Sequence, residues 1–534
     1  MKLWTNGLFY TMENEGATVE SVLSNETEII ATGSADQLKT QYGDLIKEEI
    51  DLKGATVLPG LVDSHLHLLW YGQSLARLNL NQQNSRTAAL KMIADKVATL
   101  KPDEWLFVEG YNENMWEDDG RGLTYQDLDQ ISTLHPILVR RIDYHNVVIN
   151  SPFIKKIQLK NHQVFEGGGE IDLTPDGKLT GILKDEATNL AIDAFPLATP
   201  AEMENYLKIA IEDLWSKGIT GGHSEDLHYF NGFTGTLKTF TDVVGNKENQ
   251  LPFRAHLLIH NAELANFNQS NETFLSNHSW VELGAMKIFY DGTVGSKTAL
   301  MSHSYPNEPT QFGLQVQTDE VFETMVKDAR KAELPVAIHI LGDQAFENVI
   351  TTLKKYPPKV GQLDRMIHTP WLRPDLLKKA SGMPLLFDLQ PQFMSSDLPW
   401  ALEVLGETHP PLAFAWKSIQ KAGFATAGGS DAPVEIPNPF YGIHAAVTRT
   451  VSSDLDGKHY FPEEALSRFE AIRLYTVGSA KACYHETTRG MIKPGFVSDF
   501  TILKDNPFTV STKELRTIKV LKTVIANQIV FSIK

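Results

Sequence analysis

Cysteine is almost absent from this chain: one residue, Cys483, in 534. That excludes a disulfide framework and every zinc site built on paired thiolates. A metal, if there is one, has to be held by His, Asp, Glu or a modified Lys. Long hydrophobic runs are absent too. No stretch reaches about 18 uninterrupted apolar residues, so no transmembrane helix is expected. The first residues, "MKLWTNGLFYTMENEG", lack the apolar core of a signal peptide, and the expected compartment is the cytoplasm. Positive charge is in deficit: 49 Lys and Arg stand against 66 Asp and Glu, for a net charge of -17. Such a surface repels phosphate backbones, and neither a basic cluster nor an acidic tail changes that balance. The partner to expect is a small-molecule substrate, with no nucleic acid and no membrane; a homodimer is left open. No internal repeat at solenoid periods is found.

What is present is the composition of a folded protein, 42% hydrophobic and 22% charged. The length allows one large barrel with a smaller domain, or three ordinary domains. Residues 1–57 read as short strands with turns, and "LWTNGLFYTM" carries an Asn-Gly between two β-prone runs, a hairpin signature. Residues 487–534 are also strand-like and punctuated by Gly and Pro. These two ends are expected to form one small β-sandwich. Between them, over 58–486, short apolar runs alternate with helix-patterned stretches such as "AEMENYLKIAIEDLWSKG" and "TDEVFETMVKDARKAEL". The runs begin with "GLVDSHLHL" and continue through "GITGGHSED", "FRAHLLIH", "AMKIFYDG", "PVAIHILGD", "DRMIHTPW" and "PLLFDLQPQ" to "FATAGGSDAP". Eight such alternations make an α/β fold, a (β/α)8 TIM-type barrel. Residues 73–200, between the first and second runs, are too long for an ordinary connection and predict an inserted subdomain over the barrel mouth.

The chemistry-bearing residues fall at one end of these strands. Residues i and i+2 of a strand share a face, so His65 and His67 of "SHLHL" point the same way. Lys287 lies at the end of the fourth run, His339 of the fifth, His368 of the sixth and Asp431 of the eighth. In a closed barrel these ends converge on one rim, where nitrogen and oxygen donors of this kind suit zinc and also manganese, iron or nickel. Taken singly, each has a plainer reading: a hydrogen-bonded structural histidine, a Lys287–Asp291 ion pair, a helix-capping Asp in "GSDAP". Their shared register favours the metal site.

Together "PGLVDSHLHL", "MKIFYDGTVGSKTA", "AIHILGDQA", "RMIHTPWL", "LQPQF" and "GGSDAPV" resemble the amidohydrolase superfamily, in particular its amidohydrolase-3, YtcJ-like branch of metal-dependent hydrolases, which includes N-substituted formamide deformylases. The resemblance spans essentially the whole chain. It implies that His65 and His67 bind one metal and that His339 and His368 bind a second. It also implies that Asp431 is a ligand and general base, and that Lys287 is a carboxylated lysine bridging the two. In related sequences an acidic residue often precedes the histidine of the sixth strand; here it is Ile367. The resemblance further points to His145, Asn150 and Glu186 in the insertion as substrate contacts.

The implied reaction is cleavage of a C–N bond in an amide, cyclic amide or N-substituted formamide by a metal-activated water, with Asp431 moving the proton. One or two divalent ions, zinc first among them, are the cofactor. Trp70, Asp291 and Gln390 are read as substrate contacts. The aromatic set Trp70, Tyr71, Trp116, Phe393 and Trp400, expected near the mouth, suggests a substrate with an apolar group. Two alternatives stand beside this reading: a mononuclear deaminase of the same superfamily, and a catalytically silent binding protein on the same fold.

Overall fold

A computed structural model describes residues 1–141, 146–160, 169–276 and 280–533, with only the backbone of Glu186. The chain divides into two compact units, residues 1–72 with 200–534, and residues 73–199.

The first unit is built on eight parallel strands. They are β1 (Leu61–Leu66), β2 (Ile219–Ser224), β3 (Arg254–His260), β4 (Val281–Phe289), β5 (Val336–Ile340), β6 (Asp364–His368), β7 (Leu385–Leu389) and β8 (Ala425–Gly428). Their order in the sheet is their order in the chain, and they coincide with the eight runs read from the sequence. Parallel neighbours need a crossover, and helices supply it. Among them are α1 (Pro200–Ser216), α2 (Asp319–Lys331) and α3 (Asp343–Lys355). The local chemistry of α2 explains its limits. Thr318 caps its first turn by accepting from Val321 N, acidic Asp319 and Glu320 open it, and Arg330 and Lys331 close it, matching the helix dipole. Phe322, Val326 and Ala329 form its buried stripe.

The barrel axis is filled by Leu258, Ala285, Ala337 and Ile367, one each from β3 to β6. Period-two alternation then fixes what lies above. Lys287 is two residues beyond Ala285 and His339 two beyond Ala337, so both occupy the next layer toward the C-terminal rim. Ile367 lies in the apolar plug rather than at the rim. Below it, Arg365 is buried and pairs with the buried carboxylate of Asp388, while its guanidinium also donates to Ser64 O at 2.6 Å and the Ser64 hydroxyl closes the circuit to Asp388. Each charge compensates the other where water does not reach.

The sheet closes on itself just past the end of β8. Asp431 N donates to His65 O at 2.7 Å and His67 N to Ala432 O at 2.8 Å. The buried carboxylate of Asp63 accepts from both sides of this seam, from His65 N and Ser430 N, each at 3.1 Å.

The termini build two further sheets of this unit. Strands Lys2–Thr5, Ser21–Ser24, Ile29–Gly33 and Glu48–Asp51 form one sheet. Leu8–Tyr10, Thr18–Val19 and Thr56–Pro59 join Phe500–Leu503, Val520–Ile525 and Gln528–Ser532 in the other. The hairpin expected at Asn6-Gly7 does not form, because its two strands lie in different sheets. The physical reason is the core: Trp4 and Phe9 enter the same apolar cluster from opposite sheets, and the turn carries the chain across. These sheets grip the N-terminal ends of the barrel strands. Thr501 Oγ1 donates to Gly218 O at 2.6 Å and accepts from Leu61 N at 3.2 Å, and the Asp499 carboxylate accepts two hydrogen bonds from the Arg254 guanidinium.

The second unit has a six-stranded sheet in the order Glu170–Leu173, Leu179–Lys184, Asn146–Ile149, Ile137–Arg141, Leu106–Tyr111, Leu78–Asn79. Trp116, expected near a mouth, is instead buried in this unit's own core beside Tyr111. Asn150, expected as a substrate contact, has a structural job. Its Oδ1 accepts from Ile137 N and Phe153 N, and its Nδ2 donates to Ser132 O and His135 O, so every polar site on the side chain is used by backbone. His145 and the side chain of Glu186 lie outside the described residues. Among the described residues no helix is long and apolar enough to cross a membrane.

Candidate metal centre

The six residues at the strand ends come together. His65 Nε2 and His67 Nε2 stand 3.4 and 3.2 Å from Asp431 Oδ1, and Lys287 Nζ is 3.2 Å from His65 Nε2. His368 Nε2 is 4.0 Å from Asp431 Oδ2, and the rings of His339 and His368 meet edge to face at 4.7 Å. His65, His67 and Asp431 form the tightest group, each bringing one donor atom within 4.8 Å of the others.

Backbone strain helps to aim two of them. Ile367 occupies the axis, so simple alternation would turn His368 away from it. The left-handed conformation of His368 (φ 68°) and Thr369 (φ 46°) breaks the alternation, and Asp431 (φ 59°) is bent in the same way beside the seam. Non-glycine residues adopt this region seldom, and functional sites are where such strain collects.

Hydrogen bonds fix which nitrogen of each ring is free. His67 Nδ1 donates to Glu225 O at 2.7 Å, leaving Nε2 as the donor to a cation. His368 Nδ1 donates to Gln390 Oε1 at 2.8 Å, again freeing Nε2. His339 is turned the other way: Nε2 donates to Gly292 O at 3.3 Å and Nδ1 is left. Around these rings, several buried polar atoms have no hydrogen-bond partner: His65 Nδ1, Asp431 Oδ1, both oxygens of Glu225 and Gln390 Nε2. Buried polar groups are ordinarily satisfied. Imidazoles with free nitrogens, carboxylates with few close donors and a buried amine together fit a divalent cation.

Electrostatics agree with that fit. Burial, with Lys287 and the neighbouring imidazoles, holds His65 well below its ordinary value, so it is a neutral ligand. Burial also lowers the ammonium of Lys287. For Asp431, burial disfavours the charge but His67, His368 and Lys287 more than offset it, and the carboxyl sits below its usual range. His67 is the exception. Burial opposes its charge, yet Asp431, Glu225 and Asp226 raise it to about 9. The sign is that of a raised histidine. The stabilisation from protonated His67 is full below its ordinary value of 6.5 and disappears as pH rises through about 9. A cation must displace that proton. The expected result is that metal affinity rises by about tenfold per pH unit between neutrality and that point, with release of about one proton. Calorimetric titrations in buffers of different ionisation enthalpy measure both.

Substrate contacts expected from the sequence divide. Trp70, half exposed, lies against His67 at 4.9 Å between ring centres, and Phe393 stacks on His368 at 5.4 Å. Trp400 is likewise partly exposed. Gln390 orients His368 as described. Asp291 is corrected: its carboxylate accepts from Leu300 N, Leu341 N and Gly342 N at 2.8–2.9 Å and ties the loop after β4 to the loop after β5. It does not pair with Lys287. Tyr71 is also corrected, being buried with its hydroxyl on Asp213. One residue was missed. Glu225, first after β2, is fully buried beside His67. The signal was available, since "HSED" puts two acids at the same strand end that yields every other member of the group.

The sequence pattern of the amidohydrolase family matches residues 48–531. The chain is 39% identical over 529 residues to the amidohydrolase-type protein YtcJ of Bacillus subtilis (strain 168), covering 99% of each. It is 24% identical over 545 residues to the N-substituted formamide deformylase of Arthrobacter pascens, covering 95% of this chain and 92% of that one. Its fold superposes with a TM-score of 0.80, at 25% identity, on the crystal structure of an uncharacterized metal-dependent hydrolase from Pyrococcus furiosus, covering 95% of this chain and all of the other. Sequence likeness along nearly the entire length thus meets a barrel whose rim gathers metal-binding donors, and on that ground the chain belongs to the amidohydrolase family.

Proposed function

We propose that this hydrolase of carbon–nitrogen bonds acts on a small N-substituted formamide, amide or cyclic amide, at a centre of divalent ions held by His65, His67, His339, His368 and Asp431, with Lys287 as a carbamate between them. The convergence of His65, His67 and Asp431 beside Lys287 carries the reading. A bound divalent cation supplies a water acidified to a pKa of roughly 7 and a Lewis acid for the substrate carbonyl.

The chain's own residues do the rest. Asp431, held ionised, accepts the proton of the attacking water and delivers it to the leaving nitrogen; an amine departs badly until it is protonated. Glu225 O and Gln390 Oε1 keep the rings of His67 and His368 in the orientation a ligand needs. Gln390 Nε2, buried and unpartnered, is available to a substrate oxygen. Burial disfavours the ammonium of Lys287 and so favours the neutral amine, the form that can add carbon dioxide. Trp70, Phe393 and Trp400 would receive an apolar substituent. The likeness to the formamide deformylase supports the formamide among these substrates.

A second reading, a mononuclear deaminase, draws on the tightness of the group of three. Elemental analysis of untagged protein separates the two: about two ions per chain for the amide hydrolase, about one for the deaminase. The functional test is a panel of N-substituted formamides, amides, cyclic amides, aminated rings and phosphoesters, run with and without a chelator. Amide turnover that the chelator abolishes is expected. Turnover of phosphoesters alone, or turnover indifferent to the chelator, would refute the proposal.

A further inference from the structure

Glu225 is a buried carboxyl with little local support. It follows Ser224, the last residue of β2, and has no exposed surface. Neither carboxylate oxygen has a close hydrogen-bond partner; the donor that faces it is the neutral hydroxyl of Tyr229. Its Oε2 is 3.8 Å from His67 Nδ1, but the hydrogen on that nitrogen goes to the backbone carbonyl of Glu225 itself. Lys287 directs its Nζ at His65 and does not bond the carboxylate. The adjacent acid shows the contrast. Asp226 Oδ2 accepts from Ser224 Oγ at 2.6 Å and from Leu69 N at 3.1 Å, an ordinary structural role. A carboxylate taken out of water needs a cation or several donors, and among its protein neighbours this one has only the Tyr229 hydroxyl and the more distant charges of His67 and Lys287, which do not offset its burial.

The charge balance of the centre points the same way. The six residues at the rim include a single carboxylate, Asp431, and four of the others are imidazoles. Two divalent ions held by neutral rings, Asp431 and a Lys287 carbamate would keep a net positive charge in a medium that tolerates it poorly. A second carboxylate on the His67 side reduces it.

We infer that Glu225 is a further member of the metal centre, a carboxylate behind His67 whose negative charge strengthens the binding of a divalent cation. The inference rests on the metal reading above. It assigns Glu225 a role that neither the His-x-His pair nor the other rim residues cover, and it explains why a carboxylate with so little support from its protein neighbours is retained at zero exposure.

The test is cation binding, independent of turnover. Metal-free wild type, Glu225→Gln and Glu225→Asp are titrated with Zn2+ and Co2+ against a chelating indicator, and the melting temperature of each metal-free form is recorded. Glu225→Gln is expected to weaken binding ten- to a hundredfold, the range for groups that support a ligand set. Glu225→Asp is expected to lose less, since it keeps the charge. Metal-free Glu225→Gln is expected to melt no lower than wild type, because an uncompensated buried charge has been removed. Unchanged affinity in both variants overturns the inference. So does the pattern of a plain Lys287 counter-ion, a lower melting temperature of the metal-free Gln form with unchanged affinity. Should Glu225→Gln fail to fold, the Co2+ absorption spectrum and affinity of Glu225→Asp decide: a shifted spectrum with weaker binding supports the role, and identity with wild type removes it. A wild type that binds neither ion overturns the metal reading itself, a result distinct from any variant effect.

Discussion

Asp431→Asn lowers the rate of C–N hydrolysis by roughly 10²–10⁴-fold while the protein keeps its melting temperature. The magnitude is that of a positioned general base. A carboxamide has the shape of the carboxylate but cannot take a proton at neutral pH. The fold should survive because Asp431 serves the seam through its backbone: its N–H donates to His65 O, and the contacts of its Oδ1 with His67 and His65 are ones an amide oxygen can keep. The left-handed φ of 59° is also one that Asn adopts readily, so the substitution adds no strain. Rate measured beside thermal unfolding is the check. Near-normal turnover in a well-folded Asp431→Asn protein would deny this residue the proton-transfer role. It would also favour a chain that retains the barrel without the chemistry.

Lys287→Met removes the second ion and about two to three powers of ten in rate, the equivalent of losing several kcal/mol of cation stabilisation in the transition state. Lys287 is buried in the apolar strand β4, next to Phe289, and burial disfavours its ammonium. Methionine fills the same unbranched space and removes a polar group from the interior, so packing is preserved. The companion experiment uses wild type. Stripped of metal and reloaded without bicarbonate, it should take up about one ion per chain, and about two when bicarbonate is present, if the carbamate supplies the bridging oxygens. A Met variant with full occupancy and full rate would leave the amine with no part in the centre.

Much of this architecture can be read from the residues, and for an identifiable reason. Eight apolar runs separated by amphipathic helices admit few arrangements, and a parallel barrel gathers all its strand ends on one rim. His65, His67, Lys287, His339, His368 and Asp431 could therefore be placed together from register alone. Glu225 obeys the same rule and escaped because an acid just past a strand reads as a solvated charge until its burial is seen. What register cannot show is where a side chain's bonds go. Asn150 and Asp291 look like polar residues free for a substrate, but each is saturated by backbone groups that only the folded chain brings near. Trp116 and Tyr71 show the same limit for aromatics. The Asn6-Gly7 turn fails for another reason: a local pattern gives the turn but not which sheet each arm joins, and the shared core of Trp4 and Phe9 decides that.

The junction between first and last barrel strands has a consequence for how the molecule comes into being. The atoms that hold the cylinder shut, at His65, His67, Asp431 and Ala432, belong to or adjoin the very residues that would grip a cation. Nascent chain therefore has no trap for the ion until its final staves are in place. Once captured, the ion acts as a buckle across that join, so that opening the ring and surrendering the metal become a single event.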